Sequence, residues 1–265
     1  MPDEMSKAIQ VDYSAKRKLL EGRRIYGPFV KINSPAIVEM LGLAGFDFAI
    51  IDCEHSFFTY AEVENMIRAA YSVGLSAVVR VPSAAEEHIL HALDSGASGV
   101  QIPGLSTADE VKEAVACAKY FPQGKRGLSL AQRSAKFGFG DKSTYFEASN
   151  KAALVVVHIE NKEMVEQIEE VCQIPGLDVL FLGPGDLSQS FGKPGELRAP
   201  EVIAAVEKSF SVAARYKKEV GIYVGNADDL KRYTTMGARY LAWQSDVAIF
   251  GSALREARSL LSQYA

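Results

Sequence analysis

The chain has 265 residues, 48% of them hydrophobic and 23% charged, with a net charge of −4. That supplies enough apolar material for a full core, and a mildly acidic balance without a basic block argues against nucleic acid as a partner. The three cysteines, Cys53, Cys117 and Cys172, stand far apart, which excludes a disulfide framework or a thiolate metal cluster and points to a reducing compartment. The opening MPDEMSKAIQ is polar and lacks the apolar core of a signal peptide, and no stretch approaches the length of a membrane span. A cytoplasmic protein without membrane association is expected.

In chain order, residues 5–21 are read as a lead-in helix stopped by Gly22, and 25–32 as a first strand. Pro35 opens a helix that Gly45 stops. Residues 47–52 (DFAIID) are almost wholly apolar, as a strand buried on both faces should be. A helix over 59–73 has Thr59 and Glu62 spaced as a capping box. Then follow strand 77–81, helix 85–93, strand 99–102 and a capped helix over 107–120. Residues 123–150 have no clear period, and a connection this long is usually functional or covers something. The alternation resumes with strand 154–160, helix 161–176 and strand 178–182. After GPGDLS and the loop QSFGKPGELRAP come helix 200–218, strand 221–224, helix 227–236, strand 240–243 and a helix from 246 to the end. Eight strands, each followed by a helix and with no linker between them, predict one (β/α)8 TIM barrel in a single domain spanning 1–265. Its site belongs at the C-terminal strand ends.

Strand 154–160 and strand 178–182 are joined by a helix and so lie parallel, which places their C-terminal ends side by side. Glu160 and Asp186 therefore meet at one rim. Two hard oxygen ligands suit Mg²⁺ or Mn²⁺ with positions left for substrate oxygens. Gly183 and Gly185 beside Asp186 let bare backbone N–H groups approach a small anion. Asp52, Glu54 and His55 follow the second strand, and Arg80 ends the third, immediately before Val81-Pro82. Arg126 lies in the long loop. His55 is the natural general acid–base, its tautomer held by Asp52 or by Asp94. Arg80 is read as stabilising an oxyanion. His158 shares a strand face with Glu160 and is read first as its orienter, with a third metal ligand or a substrate contact as the alternatives. His88 and His91 share one helical face and are read as surface or packing residues. Lys31 is the nearest strand-end lysine, yet nothing marks it as a Schiff-base nucleophile, so a divalent cation is favoured over an imine. Cation, arginine and imidazole together suit carbon–carbon chemistry at C3 of a 2-oxo acid through an enolate.

The strings IIDCEH, VVRVP, LDSGASGVQIP, FPQGKRG, VVVHIE and FLGPGDLS occur in an order and spacing that resembles the HpcH/HpaI family of class II pyruvate aldolases, from Gly27 to at least Val206. The resemblance implies a (β/α)8 barrel and a divalent metal, Mg²⁺ first and Mn²⁺ or Co²⁺ as alternatives, held by Glu160 and Asp186. It implies Arg80 on the keto or enolate oxygen and His55 with Asp52 as the acid–base pair. Gly183, Gly185 and the Asp186 amide would hold the pyruvate carboxylate, and Asp94 would match an aspartate near a neighbouring subunit's site. It also implies a homo-oligomer, a hexamer built as a trimer of dimers, with the last helix exchanged between partners. The expected substrates are a small 2-oxo acid, pyruvate or oxaloacetate, and an aldehyde or acyl acceptor. One departure stands out: His158 occupies a position where many members carry Gln, in the substrate pocket. PAIVEML, GFDFAIIDCEHS and ENMIRAA look somewhat like the siderophore citrate synthase branch, and the family also contains macrophomate-synthase-like enzymes. An aldolase, a condensation of oxaloacetate with acetyl-CoA, and oxaloacetate decarboxylation with enolate addition all remain open. A barrel that binds metal and small acids without turnover is the reading from another class.

Overall fold

The computed structural model describes residues 4–264. Two short helices, α1 (Glu4–Ala8) and α2 (Ser14–Leu20), precede β1 (Ile25–Val30), α3 (Pro35–Leu43), β2 (Phe48–Asp52), α4 (Tyr60–Ser72), β3 (Ser76–Arg80), α5 (Glu86–Asp94), β4 (Gly99–Ile102) and α6 (Ala108–Ala118). The second half comprises α7 (Tyr145–Ala152), β5 (Leu154–Ile159), α8 (Lys162–Glu166), α9 (Ile168–Cys172), β6 (Val179–Leu182) and α10 (Pro184–Ser190). It ends with α11 (Pro200–Arg215), β7 (Glu219–Val224), α12 (Ala227–Met236), β8 (Tyr240–Ser245) and α13 (Asp246–Ser262). All eight strands pair in parallel in sequence order, and β1 closes on β8. The barrel expected from the sequence is the barrel formed. Among the described residues no helix is long and apolar enough to cross a membrane.

The two faces of each strand go to different places. Phe29, Ile50, Val78, Val156, Phe181 and Ala242 fill the barrel interior, whereas their neighbours Val30, Ile51, Val79, Val157, Leu182 and Leu241 pack outward under the helices. Ala15 and Leu19 of α2 join the interior cluster and floor the barrel. Side chains alternate with a period of two, so the inward row above this apolar layer consists of Lys31, Asp52, Arg80, Gln101 and His158. Chemistry begins where the hydrophobic filling ends.

Several boundaries differ from the sequence reading, each for a local reason. The lead-in helix is broken, because the Asp12 carboxylate accepts from the amide and hydroxyl of Ser14 and from the hydroxyl of Ser76 on β3, restarting the chain as α2. The first strand stops at Val30 because the amides of Lys31 and Ile32 donate to the Asp246 carboxylate, both at 2.9 Å. Helix 161–176 divides at Gln167, whose side chain ties down Ala108 and Ser106. The 123–150 stretch contains a 3-10 segment, Arg133–Gly138, and α7. Both capping boxes, Thr59/Glu62 and Thr107/Glu110, form. At the barrel seam, Gly27 pairs with Ala242 but Phe29 with Ser245, so β8 carries an extra residue. Gln244 takes it up at φ 53°, with its side chain donating to Gly225 O at 2.7 Å.

Candidate active site

A cavity of about 680 Å³ opens at the C-terminal ends of the strands. Lys31, His55, Arg80, His158, Gly183, Gly185 and Asp186 line it, joined by Phe29, Phe181, Tyr223, Asn226, Arg198, Asp229 and Arg232. Asp186 does not sit in a loop: it belongs to the first turn of the short helix α10. A second cleft, about 340 Å³, lies between α4 and α5 and is lined by Tyr60, His88 and His91. There the Tyr60 hydroxyl lies 3.0 Å from His88 Nδ1, and its ring packs at 4.4 Å on His91. Both histidines are packing residues away from the mouth.

Register sets Asp52 beside Arg80 on neighbouring strands. Arg80 donates from Nε (2.8 Å) and Nη2 (2.7 Å) to the two oxygens of the fully buried Asp52. Its Nη1 lies 2.7 Å from Glu54 Oε2, and its guanidinium stacks 4.8 Å from the Phe29 ring. Two of its five N–H groups are hydrogen-bonded to Asp52, the Nη1 contact with Glu54 is an ion pair without hydrogen-bond geometry, and N–H groups remain for a ligand. Burial works against the Asp52 carboxylate, but Arg80 and Lys31 outweigh it and bring the pKa down to about 2. Burial raises the Glu54 carboxyl, more than Arg80, His158 and His55 lower it.

The reading of Asp52 as the group holding the His55 ring is corrected. Asp52 faces inward, and its Oδ1 takes the main-chain amides of Glu54 and His55 at 3.2 Å, so it fixes the backbone leading to His55. The carboxylate facing the imidazole is Glu54, whose Oε2 lies 3.7 Å from Nε2. Arg126 and Asp94 do not line the cavity either. They bind each other at 2.5 Å, and Arg126 stacks 4.7 Å from Tyr120, because burial of the guanidinium demands a carboxylate close by.

His158 Nδ1 lies 2.6 Å from Glu160 Oε2, and its Nε2 lies 2.7 Å from Gln101 Nε2. The Tyr240 hydroxyl donates to Gln101 Oε1 at 3.1 Å, so the Gln101 amide must donate to His158. That leaves the ring proton on Nδ1, donated to Glu160. Gln101 is completely buried in the middle of β4, where the sequence offered only a polar residue in an apolar strand. That exception was the available signal. The other oxygen of Glu160 accepts from the Gly104 amide at 2.7 Å. Burial would raise the Glu160 carboxyl, but the His158 hydrogen bond, the Gly104 amide and Arg80 together take it below its usual value.

Glu160 and Asp186 converge over Gly183. A Cβ built there would stand 3.6 Å from Glu160 Oε2, 3.7 Å from Asp186 Oδ2 and only 3.1 Å from Glu160 Cβ, so the glycine keeps open a cradle between two carboxylates. Among the described residues no group of three or more His, Cys, Asp or Glu side chains is disposed to hold an ion by itself. A pair of carboxylates fits a hard cation that keeps water or substrate oxygens in its remaining positions.

The chain matches the HpcH/HpaI aldolase/citrate lyase family over residues 26–253. It is 34% identical over 230 residues to a 5-keto-4-deoxy-D-glucarate aldolase of Escherichia coli O6:H1, covering 87% of this chain and 89% of the relative. An HpcH/HpaI aldolase/citrate lyase family protein from Burkholderia cenocepacia J2315 is 30% identical, with a TM-score of 0.89 over 94% of this chain and 99% of its own. The citrate synthase SbnG is 28% identical with a TM-score of 0.87, over 95% and 98%. Macrophomate synthase is 27% identical with a TM-score of 0.81, over 98% and 93%. With one barrel, one polar mouth and relatives named as aldolases over nearly its whole length, this chain is an aldolase-type enzyme and belongs to the HpcH/HpaI aldolase/citrate lyase family.

Proposed function

We propose that this enzyme is a cation-dependent carbon–carbon lyase that cleaves or forms the bond at C3 of a 2-oxo acid, giving pyruvate and an aldehyde. The observation that carries the reading is that Asp186, Arg80 and His55 line one cavity, with Glu160 set against Asp186 at Gly183 on its wall. A Mg²⁺, Mn²⁺ or Co²⁺ ion would be held by Glu160 and Asp186 and would supply positive charge to the oxo and carboxylate oxygens. Gly183, Gly185 and the Asp186 amide receive the substrate carboxylate, where no side chain blocks the backbone. Arg80, locked by Asp52, turns its remaining N–H groups to the enolate oxygen. His55 takes or gives the proton on the acceptor oxygen. His158, fixed by Gln101, orients Glu160. Arg198 and Arg232 line the same cavity, which suits an aldehyde carrying its own carboxylate, as the dicarboxylate named for the relatives would release.

The reading places the enzyme in the cytoplasm as a homo-oligomer, a hexamer made as a trimer of dimers. In α13 only Asp246 is buried, while Val247, Phe250, Leu254 and Leu261 are exposed, so the helix has an apolar face to give to a second copy. Light scattering that returned a monomer mass would remove this part.

Proton exchange at the pyruvate methyl group in D₂O, followed by NMR with Mg²⁺ and then with EDTA, tests the activity. Exchange that EDTA abolishes is expected; no exchange with any of the three ions overturns the lyase reading. The likeness to SbnG supports a second reading, condensation of oxaloacetate with an acetyl group. Release of free thiol from acetyl-CoA in the presence of oxaloacetate would favour it.

A further inference from the structure

Lys31 is the cation in the mouth that the proposed reaction leaves unused. Its Nζ stands 2.6 Å from Asp52 Oδ2. Lys31 is a counter-ion for Asp52, and its place in the mouth gives it a second use. Arg80 Nε and the amides of Glu54 and His55 converge on Oδ1, while Oδ2 takes Arg80 Nη2 and Lys31. Lys31 uses one N–H there, and its ammonium keeps two N–H groups for the cavity it lines.

The backbone around Lys31 is built to hold it there. The buried Asp246 clamps the amides of Lys31 and Ile32, at 2.9 Å each. Asp246 reaches them because β8 carries its extra residue at Gln244, in a left-handed conformation that a non-glycine residue rarely adopts. Strained backbone on β8 thus fixes the end of β1.

Position in the closed barrel says what Lys31 would meet. β1 lies four strands from β5 in either direction round the eight, so Lys31 faces Glu160 across the mouth. A 2-oxo acid with its C1 and C2 oxygens at Asp186 and Gly183 has room to extend C3 and C4 across the cavity toward β1 and β2. Lys31 and His55 wait at that side.

We propose that Lys31 is a catalytic residue of the carbon–carbon bond step, donating a hydrogen bond from its ammonium to the oxygen on C4. In cleavage, the C4 hydroxyl proton passes to His55 and the C4–O pair becomes the aldehyde C=O. The C3–C4 bond breaks, and its electrons move into the C2–C3 enolate facing Arg80. Negative charge crosses the C4 oxygen on the way, and Lys31 stabilises it without giving up its own proton. The assignment deepens the lyase reading and rests on it.

The test separates half-reactions. Pyruvate methyl exchange needs the enolate but no C4 oxygen; cleavage of 4-hydroxy-2-oxoglutarate, the adduct of pyruvate and glyoxylate, needs both. Lys31→Met is expected to lower kcat for cleavage by about 10²-fold, to lower exchange by less than about fivefold, and to lose less melting temperature than Asp52→Asn, because Arg80 still donates to both oxygens of Asp52. Lys31→Arg should recover most of the cleavage. Equal losses in exchange and cleavage, or a melting loss as large as that of Asp52→Asn, would make Lys31 a support for Asp52 and Arg80 and overturn the assignment. Unchanged cleavage would also overturn it. A parent enzyme that shows no exchange overturns the lyase reading itself, before any variant is compared.

Discussion

Replacing Asp52 by Asn takes the charge from the centre of the polar layer without changing its volume. Five donors converge on that carboxylate: Arg80 Nε and Nη2, Lys31 Nζ, and the amides of Glu54 and His55. Asn offers one acceptor oxygen, and its NH₂ must face donors that need an acceptor. Arg80 is then left buried with Glu54 as its only carboxylate. Removing one partner from such a group costs about 3–5 kcal/mol. Unfolding entropy near 2.1 cal/mol/K per residue gives about 0.5 kcal/mol per degree for a chain of this size. The melting temperature should therefore fall by about 5–10 °C in differential scanning calorimetry at pH 7. The loss should also depend on pH. A carboxylate whose pKa is lowered to about 2 in the folded state stabilises above its unfolded value near 4 and loses that contribution as pH falls toward 2. The gap between parent and Asp52→Asn should close over that interval. A variant that melts within 1 °C of the parent at pH 7, or a gap at pH 2.5 as large as the gap at pH 7, would refute the claim that ionised Asp52 anchors the layer.

Two further outcomes follow from the same geometry. Gly183→Ala puts a methyl group 3.1 Å from Glu160 Cβ and between the two carboxylates, so Mn²⁺ affinity measured by calorimetry should weaken by at least about tenfold, in line with loss of ligand support. An unchanged affinity would move the cation elsewhere. At the other end of the barrel, Lys119 Nζ is buried on the carbonyls of Asn150 and Ala153. Burial, and then the nearby Lys16, press its pKa down to about 7. Between pH 7 and 10 the unfolded chain binds the extra proton, so stability should rise with pH across that window. Urea titrations of Lys119→Met should show a flatter rise; an identical slope would remove Lys119 as its source.

The sequence by itself determined the barrel and much of its rim. Apolar strands alternating with capped helices are local patterns, and parallel neighbours must end side by side, so Glu160 and Asp186 met as their positions required. The period of two likewise put His158 with Glu160. What it could not show is which inward residues bind one another across the mouth. Asp52 was assigned to His55, three residues away, but the register of β2 against β3 gave it to Arg80. Gln101 looked like one polar residue in a strand until closure brought Tyr240 and His158 to its two ends. Lys31 was set aside because its neighbours in sequence are mute; Asp52 lies 21 residues on, and Asp246 arrives only when β8 closes on β1. Strand and helix periodicity follow from backbone geometry within a few residues. Cross-barrel hydrogen bonds depend on the stagger and closure of all eight strands together, and those were settled by the tertiary fold.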